Sequence, residues 1–156
     1  EIKILIPGCG NAHEAELLLE KNKKNITLLD ISPKACEIIS KKFPHAEVKV
    51  ICEDFFNHQG KYDVIVEQTF FCALDSNLRE KYVKKMFDLL NEKGKIIGLL
   101  FNKDFGKTTP PFGGSVEEYQ NLFEKHFEIK TLENCYNSIE PRKNTEVFVH
   151  FIKRIH

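Results

Sequence analysis

Three short stretches combine residues whose chemistry and spacing suit a common ligand. The first is Pro7-Gly8-Cys9-Gly10-Asn11-Ala12, directly after the apolar run 2–6. Glycine at 8 and 10 lets the backbone turn tightly and come close to a ligand at the start of a following helix. Cys9 sits inside this turn, and with no base beside it in sequence it is read as packed there, not reactive. Alone, such a turn is an ordinary strand-to-helix junction. Asp30 changes its meaning: it ends the next apolar run about 20 residues after Gly10, where a carboxylate can accept hydrogen bonds from both hydroxyls of a ribose. The third stretch, Cys52-Glu53-Asp54-Phe55, follows the third apolar run. There Asp54 can accept from an exocyclic amine, and Phe55, with Ile31 opposite, can sandwich a purine ring. The combination predicts a nucleoside pocket. A dinucleotide fingerprint would require Gly or Ala at position 13 for close packing beside a pyrophosphate, and His13 stands there instead, which disfavours a nicotinamide-dependent oxidoreductase.

These residues need a scaffold that brings strand ends together. Short apolar runs at 2–6, 26–29, 48–51, 62–66 and 95–101 read as buried parallel strands, alternating with amphipathic helices near 12–22, 33–43 and 77–91. Ser32 followed by Pro33 marks a helix start, because proline lacks the N–H that a first turn leaves unpaired. Ser115 and Glu118 predict a further helix over 116–125, opened by a capping box. Strands at 127–132 and 146–152 follow with no helix between them, so they should pair antiparallel across the polar piece 134–144. The expected fold class is α/β: a mostly parallel seven-stranded sheet with a C-terminal antiparallel hairpin and helices on both faces. The Gly/Pro/Thr-rich stretch 106–114 is expected as a long loop at the ligand-binding edge.

Composition bounds the rest. At 156 residues the chain forms one domain, so a single site must serve cofactor and substrate. Its 23 basic and 23 acidic residues balance, so no global field favours nucleic acid or an anionic membrane. The five cysteines are an odd number without a Cys-x-x-Cys pair, and are read as reduced, buried thiols of a cytosolic protein. The six histidines are scattered without ligand spacing, so no metal is expected. The apolar run begins almost at residue 1, and a natural segment is expected to precede it.

Taken together, Ile6-Pro7-Gly8-Cys9-Gly10, Leu29-Asp30-Ile31-Ser32, Asp54-Phe55-Phe56, Thr69-Phe70-Phe71-Cys72-Ala73-Leu74-Asp75, Leu78-Arg79, Pro110-Pro111-Phe112 and Pro141-Arg142-Lys143 resemble the thiopurine S-methyltransferase-like family, which includes halide and thiol methyltransferases. The Thr-Phe-Phe-Cys-Ala-Leu run is the most specific of these. The resemblance implies the Rossmann-like class I methyltransferase fold and S-adenosyl-L-methionine as cofactor. It implies that Gly8, Gly10, Asp30, Ile31, Asp54 and Phe55 bind the cofactor and that Gln68 and Thr69 lie near its methionine portion. Phe70, Phe71, Phe112 and Arg142 would border the substrate. The chain departs from the pattern at Ala12, where many class I enzymes have glycine, and at Gln68, where relatives often have Tyr or Arg.

Methyl transfer from a sulfonium to a thiolate or halide requires positioning more than acid–base groups. Opposite charges annihilate as they react, so a dry pocket with one cation is suitable. Phe70, Phe71 and Phe112 are expected as walls, with Arg142 or Lys143 as the cation. Glu67, at the end of the fourth run, is expected near the cofactor's amino group. The acceptor should be a small molecule. Two further rivals are a methyltransferase-fold module that binds the nucleoside without turnover and an RNA methyltransferase. The second lacks both a basic composition and an Asn-Pro-Pro-Tyr-like run.

Overall fold

The strands implied by the apolar runs assemble into one seven-stranded sheet in the order β3-β2-β1-β4-β5-β7-β6. The structure, a computed structural model, describes residues 1–44, 47–134 and 145–155. Strands β1 (Ile4–Pro7), β2 (Ile26–Asp30), β3 (Val48–Cys52), β4 (Tyr62–Glu67) and β5 (Leu90–Phe101) run parallel. The last two, β6 (Phe127–Asn134) and β7 (Glu146–Lys153), form the antiparallel hairpin, and β7 also pairs antiparallel with β5. Strand β5 begins five residues earlier than its apolar run suggests, because Leu90 pairs with Tyr62 before the register shifts to Val64 opposite Lys95.

Alternation along the strands divides the core in two. Ile4, Ile6, Ile26, Leu28 and Val48 face one side, where Ala15 of α1 (His13–Glu20) and Ile39 of α2 (Pro33–Lys42) cover them. Leu5, Leu29, Ile65 and Ile96 face the other, under Tyr82 and Met86 of α3 (Arg79–Leu89) and Tyr119 and Phe123 of α4 (Val116–Phe123). Helices on both faces leave the carboxyl ends of the parallel strands as the open edge, where a doubly wound sheet holds its ligands.

The capping expectations meet different ends. Ser32 accepts from Ala35 N–H at 3.2 Å, with Pro33 at the first helical position. Ser115 likewise accepts from Glu118 N–H at 3.2 Å. The return half of that box is replaced, however, because the Glu118 carboxylate takes Arg79 as its partner at 2.5 Å. Among the described residues no helix is long and apolar enough to cross a membrane.

Candidate functional site

The first turn of the site is stitched to its neighbour strand. Gly8 N–H donates to Leu29 O at 2.7 Å, and Gly8 and Gly10 hold φ of +58° and +54°. Side-chain-bearing residues rarely adopt that region. Ala12 also adopts it, at +57°, which explains why a glycine suits this position. Asp30, at the end of β2, spans two turns with one carboxylate: Oδ2 accepts from Gly10 N–H at 3.2 Å and Oδ1 from Ser32 N–H at 3.0 Å. Asp54 follows β3 and accepts from Phe56 N–H at 2.8 Å, opening a short 3-10 turn over Phe55–Asn57.

These residues converge. Gly8, Asp30, Ile31, Asp54, Phe55, Thr69 and Phe70 line a single cleft of about 450 Å³, a size suited to a small organic ligand. Ile31 is 66% exposed at its rim, and Phe55 is buried in its floor, edge-on to Phe56 and Phe70. The Phe70 ring lies over Gly8, so that a Cβ at Gly8 would collide with it. A more open hollow between α3 and α4, lined by Ser76, Arg79 and Glu118, shares no lining residue with this cleft and has no glycine turn.

Sequence reasoning missed several lining residues: Leu29, Glu53, Phe56 as a wall, Ala73, Leu74 and Leu78. The Thr69-to-Asp75 run held the signal for Ala73 and Leu74, since it folds into a 3-10 turn, Phe71–Ala73, beside the cleft. Glu53 is fixed by His58, whose Nδ1 lies 2.5 Å from its Oε1 while Nε2 lies 2.8 Å from the Tyr62 hydroxyl. Nothing in the sequence signalled that chain, which runs from half-buried Glu53 to buried Tyr62.

Other expected site residues stand elsewhere. Phe71, expected as a wall, is 1% exposed and packs edge-on against Tyr82 and Tyr119, so its ring belongs to the core. Glu67, expected to approach a ligand amino group, is also 1% exposed. Its carboxylate accepts from the N–H groups of Phe70 (3.0 Å) and Phe71 (3.1 Å) and from the Tyr82 hydroxyl (2.5 Å). Burial pushes that carboxyl up to about 7, against the pull of these donors. Gln68, half-buried beside Thr69 in the chain, does not line the cleft. Cys9 is buried beside Gly8, and desolvation, then the nearby Asp30 charge, push its thiol up to about 12, so it stays protonated. Phe112 lines a separate hollow with Arg79, Ser115 and Glu118, although its N–H donates to Cys72 O at 2.7 Å. Arg142 and Lys143 lie outside the described residues, as does Cys135. Cys9, Cys36 and Cys72 are buried thiols, as expected, whereas Cys52 is exposed. Among the described residues no group of His, Cys, Asp and Glu could hold a metal ion.

Compared with known families, residues 1–154 match the one described as Thiopurine S-methyltransferase (TPMT). The chain belongs to the thiopurine S-methyltransferase family. Within that family it is similar to a probable thiol methyltransferase 2 of Arabidopsis thaliana, at 33% identity over 92% of the chain and 66% of the relative. It is also similar to a thiocyanate methyltransferase 1 of Brassica oleracea, at 28% identity with the same coverage. The chain thus spans just under two thirds of the length of these relatives. Among solved structures, a SAM-dependent methyltransferase from Methanosarcina mazei superposes with a TM-score of 0.81 at 15% identity, covering 99% of this chain and 93% of that one. The N-methyltransferase NodS from Bradyrhizobium japonicum WM9, solved with S-adenosyl-L-homocysteine, gives 0.78 at 13% identity, covering 99% and 79%. At such identities the likeness is one of fold, and the fold is that of class I methyltransferases.

Proposed function

We propose that this family member binds S-adenosyl-L-methionine in the cleft at the ends of β1 to β4 and transfers its methyl group to a small thiol, halide or related soft nucleophile. The observation that carries the reading is the convergence of the Asp30 and Asp54 carboxylates on one cleft beside the Gly8 turn. The residues present fit the cofactor. Asp30 has acceptor capacity left for ribose hydroxyls after taking two backbone N–H groups, and Asp54 has an oxygen free of the Phe56 bond for the adenine amino group. Exposed Ile31 and buried Phe55 offer apolar faces for the purine. Gly8 and Thr69 leave backbone accessible for the methionine end.

When bound, S-adenosyl-L-methionine supplies the methyl group on a positively charged sulfur, a good leaving group. The chain's own residues then orient and dry the site. Phe70, Ala73, Leu74 and Leu78 form an apolar wall, in which an anionic nucleophile loses hydration and gains reactivity. Arg79 does not serve as the attracting cation in this reading, since its guanidinium is committed to Glu118 and to Gly113 O at 2.6 Å. Arg142 or Lys143 fills that role, whereas Phe112, which lines the separate hollow beside Arg79, takes no part in this reading. The thiol acceptor follows the name of one plant relative and thiocyanate that of the other, and a halide is a soft anion of the same kind.

The test pairs binding with turnover: calorimetric titration with S-adenosyl-L-methionine, then gas-chromatographic detection of methylated product from bisulfide, thiocyanate and iodide. Binding with product from at least one acceptor is expected. Binding without product would reduce the protein to a cofactor-holding module, and no binding would remove the reading altogether.

A further inference from the structure

Glu67 is an acid that the fold buries without giving it a cation: its donors are two backbone N–H groups and a tyrosine hydroxyl, all uncharged. A buried carboxylate is expensive to ionise, so packing alone does not account for an acid there. Its neighbours suggest what it is kept for. Glu67 closes the turn that follows β4, in which Thr69 sits at φ +59° and Phe70 lays its ring over Gly8 in the cleft. Gly98 of β5 lacks the Cβ that would collide with the Glu67 carbonyl, so the strand approaches closely and fixes the root of this turn.

We propose that Glu67 is a positioning residue for the cofactor: its ionised carboxylate grips the N–H groups of Phe70 and Phe71 and holds the Thr69–Phe70 rim in the shape that receives a cationic nucleoside. The inference rests on the S-adenosyl-L-methionine reading of the cleft.

The charge state matters for a stated reason. Tyr82 of α3 faces the carboxylate directly, and Glu14 of α1 and Tyr119 of α4 lie within electrostatic reach, with Cys72 beside Tyr82. Burial and the Glu14 charge favour the protonated acid, whereas the donors favour the carboxylate. Once protonated, Glu67 directs its own O–H at Tyr82, whose hydroxyl hydrogen loses its acceptor, and the neutral acid accepts the Phe70 and Phe71 N–H groups more weakly than the carboxylate does. A positively charged ligand favours the ionised form, and by reciprocity the ionised form favours that ligand. Affinity for S-adenosyl-L-methionine therefore rises as pH passes through about 7. S-adenosyl-L-homocysteine has no sulfonium charge and should respond less.

Stability moves the opposite way. The folded carboxyl is raised from 4.5 to about 7, so the folded chain holds this proton more firmly than the unfolded one. That contribution is complete below pH 4.5 and is lost as pH rises through about 7. A purely structural Glu67 would make binding and stability change together; a positioning Glu67 sets them against each other.

The test compares the wild-type chain with Glu67→Gln and Glu67→Leu by calorimetric titration of S-adenosyl-L-methionine and S-adenosyl-L-homocysteine at pH 6, 7 and 8, with melting temperatures in parallel. Wild type should bind S-adenosyl-L-methionine about tenfold more tightly at pH 8 than at pH 6, and S-adenosyl-L-homocysteine with a smaller change. Glu67→Gln should give a flat profile. Glu67→Leu should bind both ligands at least about tenfold more weakly at pH 8 and melt below the wild-type temperature, because it leaves the Phe71 N–H and the Tyr82 hydroxyl buried without an acceptor. A Gln variant that keeps the wild-type pH profile, or a Leu variant that binds within twofold of wild type, overturns the inference. Should the Leu variant fail to fold, the Gln profile decides. A wild type that binds neither ligand overturns the cofactor reading itself, and this inference with it.

Discussion

Replacing Asp30 tests the cleft at its most committed residue. Its carboxylate does two things at once: it ties Gly10 N–H to Ser32 N–H through separate oxygens, and it faces the cleft. Asp30→Ala removes both ties and the ribose acceptor. A hydrogen bond to a charged group is worth about 1.5–3 kcal/mol net. In the free protein water reaches the exposed Gly10 N–H and replaces its lost bond, so most of the penalty falls on binding. Counting the ribose bonds at a discount for that exposure gives about 2–3 kcal/mol, or about 30- to 150-fold in Kd. Asp30→Asn is the finer probe. The amide keeps one oxygen but turns an NH2 toward either Gly10 N–H or Ser32 N–H, donor against donor, so one tie is lost. The expected cost is about 1–2 kcal/mol, about 5- to 30-fold. Isothermal titration with S-adenosyl-L-homocysteine measures both, with circular dichroism to establish that the fold is intact. A well-folded Asp30→Ala protein with affinity within twofold of wild type would refute the ribose role.

Two glycines and one arginine give further tests. Gly8→Ala and Gly10→Ala share the strain of a left-handed residue, about 1–2 kcal/mol, but only the Cβ at 8 meets the Phe70 ring, whereas at 10 no atom lies within 4 Å. Titration should therefore find cofactor binding abolished in the first and weakened about tenfold or less in the second; equal losses would show that Phe70 does not define the cleft. Arg79 is buried, donates to Glu118 and Gly113, and lies 4.5 Å from the Phe71 ring centre. Breaking a fully buried pair costs about 3–5 kcal/mol, and because Glu118 remains partly exposed we expect about 2–3 kcal/mol for Arg79→Ala in urea unfolding. Arg79→Lys should recover little, since an ammonium cannot reach both acceptors in one plane. A loss under 1 kcal/mol would assign this pair to the solvated surface.

The sequence by itself determined the scaffold and the edge of the sheet that carries the cleft. Parallel strands covered on both faces are largely apolar, so β1 to β4 and residues 95–101 of β5 stand out as short hydrophobic runs, and their order places Gly8, Asp30 and Asp54 at successive carboxyl ends. Ser32-Pro33 is a local signal, complete within one turn of helix, and it too was legible. Roles that depend on side-chain direction were not. Phe70 and Phe71 are adjacent and identical in type, yet one ring borders the cleft and the other packs among Tyr82 and Tyr119. The difference arises from the turn after Thr69, which points neighbouring side chains in opposite directions. Glu118 shows the same limit, because its capping partner is local whereas Arg79 is 39 positions away and becomes available only when α3 meets α4. Glu67 reads as a charge at a strand end and becomes a buried acid only because Tyr82 and the Phe70–Phe71 backbone close over it. Spacing along the chain set which chemical groups reach the edge of the sheet; packing across the chain decided which of them line the cleft and which are buried beneath it.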